Sequence, residues 1–366
     1  MRKTIKALAL CAVLLVTSAF AQSNYDKKDG CPQVPSGPHA FCYPKDVGLA
    51  CPQDFYLFGE FLLFQAEEEG LDFCIKNNLA NGWALPLRGG NVEGFSSGPH
   101  EWNWNFGGRF GFGFYLNHDN WNIEAKWTYL HIKEDRTVSA TNAQTLVPLF
   151  LPPTLVGGGQ NQYASARWKA KLNIIDLDLG KPYFVSRYFI MHPFMGARAL
   201  WIDQDYVARY SGIFNAEDGV KMISKNDRWG VGLRGGFKTE WMLGAGWLLY
   251  GDLAGSIMYG KYDISQELAA GGAYSFELDQ DYYVVNPNLE LRLGVLWTHH
   301  FCENKYRIAL GGAYEFHYFW DENQLKRFYG DGDGGALANG AIAANDTVSR
   351  GDLSLNGLSF RLQFDF

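Results

Sequence analysis

The sequence lacks any apolar stretch long enough to cross a membrane as a helix: its longest apolar run, Ala7 to Val16, is about half of the ~20 residues a spanning helix needs. That excludes a helical membrane bundle. Proline is scarce, 13 of 366 residues, and the 42 glycines have no period of three, so the chain is not collagen-like. Charge is scarce too, at 19%. No C-x-x-C spacing, H-E-x-x-H pair or G-x-x-x-x-G-K-[ST] loop occurs, so zinc-ribbon, thioredoxin-like, metalloprotease and P-loop chemistry have no signature here. Asp331-Gly332-Asp333-Gly334 begins like a calcium loop, but the later acidic ligand is missing, and no metal or cofactor is expected.

What is abundant is aromatic surface, 16% of the chain, enough to exclude disorder. The apolar run belongs to targeting. Arg2, Lys3 and Lys6 precede it and Ala19-Phe20-Ala21 follows as an A-x-A site, which predicts a signal peptide over 1–21 and Gln22 as the first mature residue. Leu10 stands where a lipoprotein signal needs a small residue before Cys11. Removing three cations takes the formal charge from −7 to −10, which argues against nucleic acid as a partner. Five cysteines remain: Cys31, Cys42, Cys51, Cys74 and Cys302. An odd number in an exported chain leaves at least one thiol free or intermolecular. Residues 22–53 carry three of them between Pro/Gly punctuation and read as a periplasmic extension without a core of its own.

From residue 54 onward the pattern has period two. Over Trp102 to Tyr115 the even positions are Trp102, Trp104, Phe106, Gly108, Phe110, Phe112 and Phe114, while the odd ones include Asn103, Asn105, Arg109, Gly111 and Gly113. Ten such segments lie near 54–66, 101–115, 121–136, 163–180, 186–205, 226–243, 246–263, 282–299, 304–320 and 352–366. Many exceed the five to six residues usual in soluble strands. Connections alternate between short turns and Gly/Asn/Asp/Pro-rich stretches of about 15 to 35 residues, the rim asymmetry of outer-membrane barrels. The reading is all-β: a closed antiparallel transmembrane β-barrel over 54–366, of about ten strands, with short periplasmic turns and long external loops. Closure leaves no unpaired edge in hydrocarbon. Phe360, Leu362, Phe364 and terminal Phe366 share one face, the ending read by the barrel assembly machinery. Trp121, Trp241, Trp247 and Trp297 beside short turns predict an aromatic girdle against outer-membrane lipid. One irregularity is expected, a bulge at Ile174-Ile175, where the apolar face changes parity.

Strand phase places Arg109, Lys126, Arg167, Lys169, Lys171, Arg198, Arg234, Lys238, Arg292, Lys305, Arg307 and Arg361 in the lumen, against Glu60, Glu124, Glu240, Asp252, Glu290 and Glu315. Two consequences stay open: a mildly cationic pore favouring anions, or charges that pair across strands and fill the lumen. Ten strands make a narrow barrel, since about eight are filled by side chains and open channels are typical of sixteen or more. A barrel hydrolase is a remote third class; its candidates are Asp205, Asp218, Asp279 and Asp281 with His131. On this topology Cys31, Cys42, Cys51 and Cys302 are periplasmic, and Cys74 stands alone in the first external loop. All five are disulfide candidates.

Several segments carry a resemblance. Phe55 to Phe64 (FYLFGEFLLF) followed by Glu69-Gly70-Leu71-Asp72-Phe73, His192-Pro193-Phe194-Met195-Gly196-Ala197-Arg198 with Trp201-Ile202-Asp203-Gln204, Trp229-Gly230-Val231-Gly232-Leu233-Arg234, and the ending from Leu353 through Phe366 together resemble the major outer membrane protein family of Legionella and environmental chlamydiae. The resemblance implies an abundant porin-like surface barrel, not an enzyme, that passes small solutes and contacts host cells. Its chlamydial members imply a disulfide-linked envelope, with other envelope proteins or further copies as partners. The alternative function is a non-conducting structural barrel or adhesin.

Overall fold

The computed structural model describes residues 55–78, 89–95, 97, 102–116, 121–141, 143–150, 162–186, 188–211, 219–270, 274–302, 305–330, 344–348 and 351–366. The expected signal peptide (1–21) and extension (22–53), with Cys31, Cys42 and Cys51, lie outside them.

In chain order the strands are β1 (Phe55–Glu68), β2 (Asp72–Asn77), β3 (Asn91–Gly94), β4 (Trp104–Tyr115), β5 (Asn122–Ser139), β6 (Thr145–Pro148), β7 (Tyr163–Gly180), β8 (Tyr183–Phe184), β9 (Phe189–Ser211), β10 (Val220–Gly244), β11 (Trp247–Ala270), β12 (Tyr274–Phe301), β13 (Tyr306–Asn323), β14 (Lys326–Gly330), β15 (Ala344–Val348) and β16 (Gly351–Asp365). Ten of them form a closed antiparallel ring in the order β1-β4-β5-β7-β9-β10-β11-β12-β13-β16, sealed where β16 returns to β1. The short β8 pairs onto β9 inside one short turn. Two small sheets, β3-β2-β6 and β14-β15, belong to the long connections.

Alternation decides which side of each strand meets lipid. On β10, Leu233 is 78% exposed while Arg234 beside it is 6% exposed, and the same inversion repeats with Phe110 out and Arg109 in on β4. Large apolar groups splay outward and charge turns inward, the reverse of a soluble core. Trp121, Trp241 and Trp247 are exposed at the short-turn end, and Trp229, Tyr259 and Tyr283 stack along the opposite border. Trp229 and Trp241 stand twelve residues apart on β10. At ~3.3 Å per residue and a tilt of ~40° that separation projects to ~30 Å, the height of a bilayer core.

Two inward glycines of β4 have a specific cause. A Cβ at Gly111 would lie 2.3 Å from the Phe58 ring, and one at Gly113 would lie 2.3 Å from the Tyr56 ring, so these positions are slots for the aromatics of β1. The β10–β11 turn is Gly244-Ala245-Gly246, all at positive φ, where glycine at two of three positions removes most of the strain.

The strand geometry differs from the sequence reading in two respects. No bulge occurs at Ile174-Ile175: β7 pairs with β5 and β9 in unbroken register, with even residues inward throughout. The chemistry changes there, not the geometry. Ile175, Leu177 and Leu179 face lipid, whereas Arg167, Lys169 and Lys171 on the same outward face stand beyond it in water, over an interior that is apolar at that height. The second difference concerns two of the long loops. Between β9 and β10 and between β11 and β12 the strands continue well past the bilayer, to lengths of 23 to 28 residues.

Candidate functional site: the barrel interior

The inward positions of the membrane-spanning half build one ion network. Seven carboxylates (Glu60, Glu124, Asp176, Asp178, Asp252, Glu290 and Glu315) meet seven cations (Arg109, Lys126, Arg198, Arg234, Lys238, Arg292 and Arg361). Glu60 of β1 is its hub. Its oxygens accept from Arg109 and, at 3.0 and 3.1 Å, from Arg292, while Arg361 stands 3.4 Å away. Arg109 also forks onto Glu315 at 2.9 and 3.1 Å, and Arg292 reaches the same carboxylate at 2.9 Å. On the other wall Arg198 donates twice to Asp176, at 2.5 and 2.8 Å, and also pairs with Glu290. Arg234 bridges Asp178 at 2.5 Å and Glu290 at 2.7 Å. Lys238 donates to both oxygens of Glu124 at 2.8 Å, and the Tyr56 hydroxyl donates to the same group at 2.9 Å. His317 lies between Glu315 (3.0 Å) and Glu290 (3.7 Å). Such bidentate, cross-barrel pairs fix side chains in place, because each guanidinium has more than one anchored acceptor. The space left among them is a cavity of about 50 Å³, room for a few waters.

Towards the long-loop end the interior changes from ionic to apolar. Leu62 and Phe64 of β1, Leu130 and Ile132 of β5, Trp168, Ala170 and Leu172 of β7, and Leu200 and Ile202 of β9 form one buried cluster. The β3-β2-β6 sheet packs its Phe73, Cys74 and Leu146 into the same cluster. Tyr206 and Tyr210 tie that sheet down, their hydroxyls donating to the carbonyls of Leu71 (3.1 Å) and Phe73 (2.6 Å). A buried ion pair, Arg228 with Glu322, sits at this height, with Arg228 over the Tyr262 ring. The chain brings Glu322 inside by turning at Asp321, whose φ is +52°.

Of the residues expected in the lumen, Arg109, Lys126, Arg198, Arg234, Lys238, Asp252, Glu290, Arg292, Glu315 and Arg361, with Glu60 and Glu124, come together in the network. Arg307 pairs with Asp365 at 2.8 Å near the short-turn mouth, and Glu240 is half-buried on the inward side at that same end. Arg167, Lys169 and Lys171 do not belong: they face outward, Arg167 pairing with the exposed Asp135. Lys305 is exposed in a turn. Asp176, Asp178 and His317 were missed. Carrying the even parity of Trp168 through to residue 178 finds both aspartates. The cationic excess therefore disappears, leaving seven against seven.

The hydrolase candidates are scattered. His131 and Asp205 face outward with β7 between their strands, Asp279 and Asp281 lie on β12, and Asp218 is outside the described residues. Gly94-Phe95-Ser96-Ser97-Gly98 matches G-x-S-x-G as a string, but it follows β3 in a long connection rather than a strand-to-helix elbow, and Ser96 is outside the described residues.

Both described cysteines are free. Cys302 is exposed in the β12–β13 turn. Cys74, expected to stand exposed, is fully buried, and burial pushes its thiol up to about 12. A maleimide applied to the folded protein at neutral pH is expected to tag Cys302 and spare Cys74 until denaturant is added, as read by mass spectrometry of the tagged peptides.

A family model described as Legionella pneumophila major outer membrane protein precursor matches residues 56–366. No curated protein matches the sequence. Among solved structures, the outer membrane protease OmpT of Escherichia coli is 9% identical, with 88% of this chain and 99% of that chain covered at a TM-score of 0.38. The toluene transporter TodX of Pseudomonas putida is 8% identical over 86% and 90%, at 0.29. A FadL homologue of Pseudomonas aeruginosa is 9% identical over 85% and 89%, at 0.23. Overlaps this low carry no argument about activity.

Proposed function

The chain belongs to the Legionella major outer membrane protein family and is a protein of the bacterial outer membrane; from that premise we propose that it is a structural surface barrel whose lumen is closed to passive diffusion in this conformation. One observation carries the reading: the seven-by-seven ion network, whose cavity of about 50 Å³ also reaches Phe64, Leu130 and Leu172, lies in series with an apolar layer. Passive diffusion of small solutes, which the resemblance implied, needs a continuous aqueous path. Here an ion would have to displace paired guanidiniums and then cross a layer of Leu, Ile and Trp side chains. Balanced pairing also leaves no fixed excess charge to select anions.

Around this core the remaining roles are consistent proposals. The aromatic rows anchor the barrel in outer-membrane lipid, the Phe364 and Phe366 ending suits recognition by the assembly machinery, and the strands beyond the bilayer present a surface for host contact. Cys302 and the cysteines of the extension are available for cross-links to envelope proteins or to further copies. The test is a planar-bilayer recording of refolded protein. No stepwise conductance is expected at moderate voltage; frequent ohmic steps from folded, heat-modifiable protein would overturn the closed-lumen reading in favour of diffusion.

A further inference from the structure

Among the described residues, the wall above the bilayer is not closed all the way round. On one side β12 pairs with β11 along its length, from Tyr274 opposite Ala270 to Trp297 opposite Trp247. On the other, its pairing with β13 begins only at Asn288 opposite Phe319. Among the described residues, no backbone ladder covers that second edge between residues 274 and 287: the Asn286 side chain still donates to the carbonyls of Trp320 (2.9 Å) and Asp321 (3.1 Å), and β13 then turns inward at Asp321 to deliver Glu322 into the barrel. The result is a long strand with one edge unpaired among the described residues, standing partly above the Tyr259/Tyr283 girdle.

Pro287 shows which amides face that edge. It lacks an N–H and still sits in register with Ile257 of β11, so its nitrogen points away from the ladder. Backbone groups alternate along a strand, so the residues of the same parity, Glu277, Asp279, Asp281 and Tyr283, also aim their N–H and C=O groups at the free side. The outward side chains beside the edge are acidic. Glu277, Asp279 and Asp281 on β12 and Asp263 and Glu267 on β11 surround Lys261, which bridges Asp263 (2.6 Å) and Asp281 (2.8 Å). A groove of about 300 Å³ runs beside them, where Asp227, Asp263, Asp279 and Asp281 outnumber the one lining cation, Lys225.

We propose that this edge binds an extended, basic segment of a partner protein by strand addition, with main-chain hydrogen bonds to residues 277–283 and Lys or Arg side chains against Glu277, Asp279 and Asp281. Charge complementarity selects the occupant. A second copy would set the same carboxylates against each other across a two-fold axis. Residues 331–343 of this chain hold two aspartates and no cation, and the N-terminal extension joins the barrel at its opposite end. The proposal is independent of whether the lumen conducts.

The probe is a fluorescent nine-residue peptide of alternating lysine and valine, titrated by anisotropy against the refolded full chain in detergent. Binding is expected, and methylating alternate backbone amides on the pairing side of the peptide abolishes it. Asp281→Pro removes one edge amide without a ladder bond and is expected to weaken binding about tenfold, as is the double variant Glu277→Lys/Asp279→Lys, which leaves the backbone intact. No binding by the parent peptide would overturn the proposal. So would equal binding of the methylated peptide, which would mean charge alone, or unchanged affinity in folded Asp281→Pro and Glu277→Lys/Asp279→Lys proteins, or edge-dependent self-association that excludes the peptide.

Discussion

Glu60→Gln is expected to cost the barrel about 3–5 kcal/mol of unfolding free energy. The substitution keeps the shape of the side chain and removes its charge. Arg109 keeps Glu315 as a partner, but Arg361 loses the only carboxylate described within its reach, and Arg292 loses its two-pronged hold. Glu60 is itself buried, and the few waters its cavity could hold would replace its hydrogen bonds but not its charge. Urea unfolding of the protein in lipid vesicles, followed by tryptophan fluorescence, measures the effect. A change below about 1 kcal/mol would mean that the network is hydrated and loosely organised. Arg109→Leu made together with Glu60→Leu should cost less than the sum of the two single changes, because an apolar pair strands no charge within that pair.

Much of this was legible in the sequence, for one physical reason. In a membrane barrel both faces of a strand are constrained, one by lipid and the other by a narrow lumen, so parity at residues such as Leu233 and Arg234 sorts them without knowledge of their neighbours. All ten strands and their order follow from that and from the turn lengths. Parity fails where the solvent changes along a strand. On β7 the outward face meets lipid at Ile175 and water at Lys169, while the inward face meets carboxylates at Asp176 and an apolar cluster at Trp168. A reading that assigns lipid to whichever face is greasy therefore flips at residue 174, sends three cations into the lumen and leaves two aspartates out. The inward turn at Asp321 had no signal of its own. It depends on Arg228 and Tyr262 waiting some sixty to ninety residues upstream. The burial of Cys74 was hidden likewise, since it arises from a small sheet formed by three segments of two different connections.

Trp168 is the corresponding position in the apolar layer, and Trp168→Ala is expected to cost about 3–5 kcal/mol by opening a cavity. The indole is fully buried, packs edge-on against Trp102 with 6.2 Å between ring centroids, and donates to Gln204 at 3.0 Å, so truncation also leaves that amide without its partner. The consequence for function is sharper than the loss of stability. The ionic network and the apolar layer lie in series along one axis, and a path in series is blocked while either element holds. Glu60→Gln and Trp168→Ala, each studied under conditions where the barrel stays folded, are therefore expected to remain silent in bilayer recordings, whereas the double variant conducts. Their stability losses should nearly add, since the two side chains share no partner. Conductance from Trp168→Ala alone would place the whole seal in the apolar layer and make the network a scaffold. Silence in a folded double variant would mean that the loop sheet carrying Phe73 and Cys74 closes the barrel without help from either.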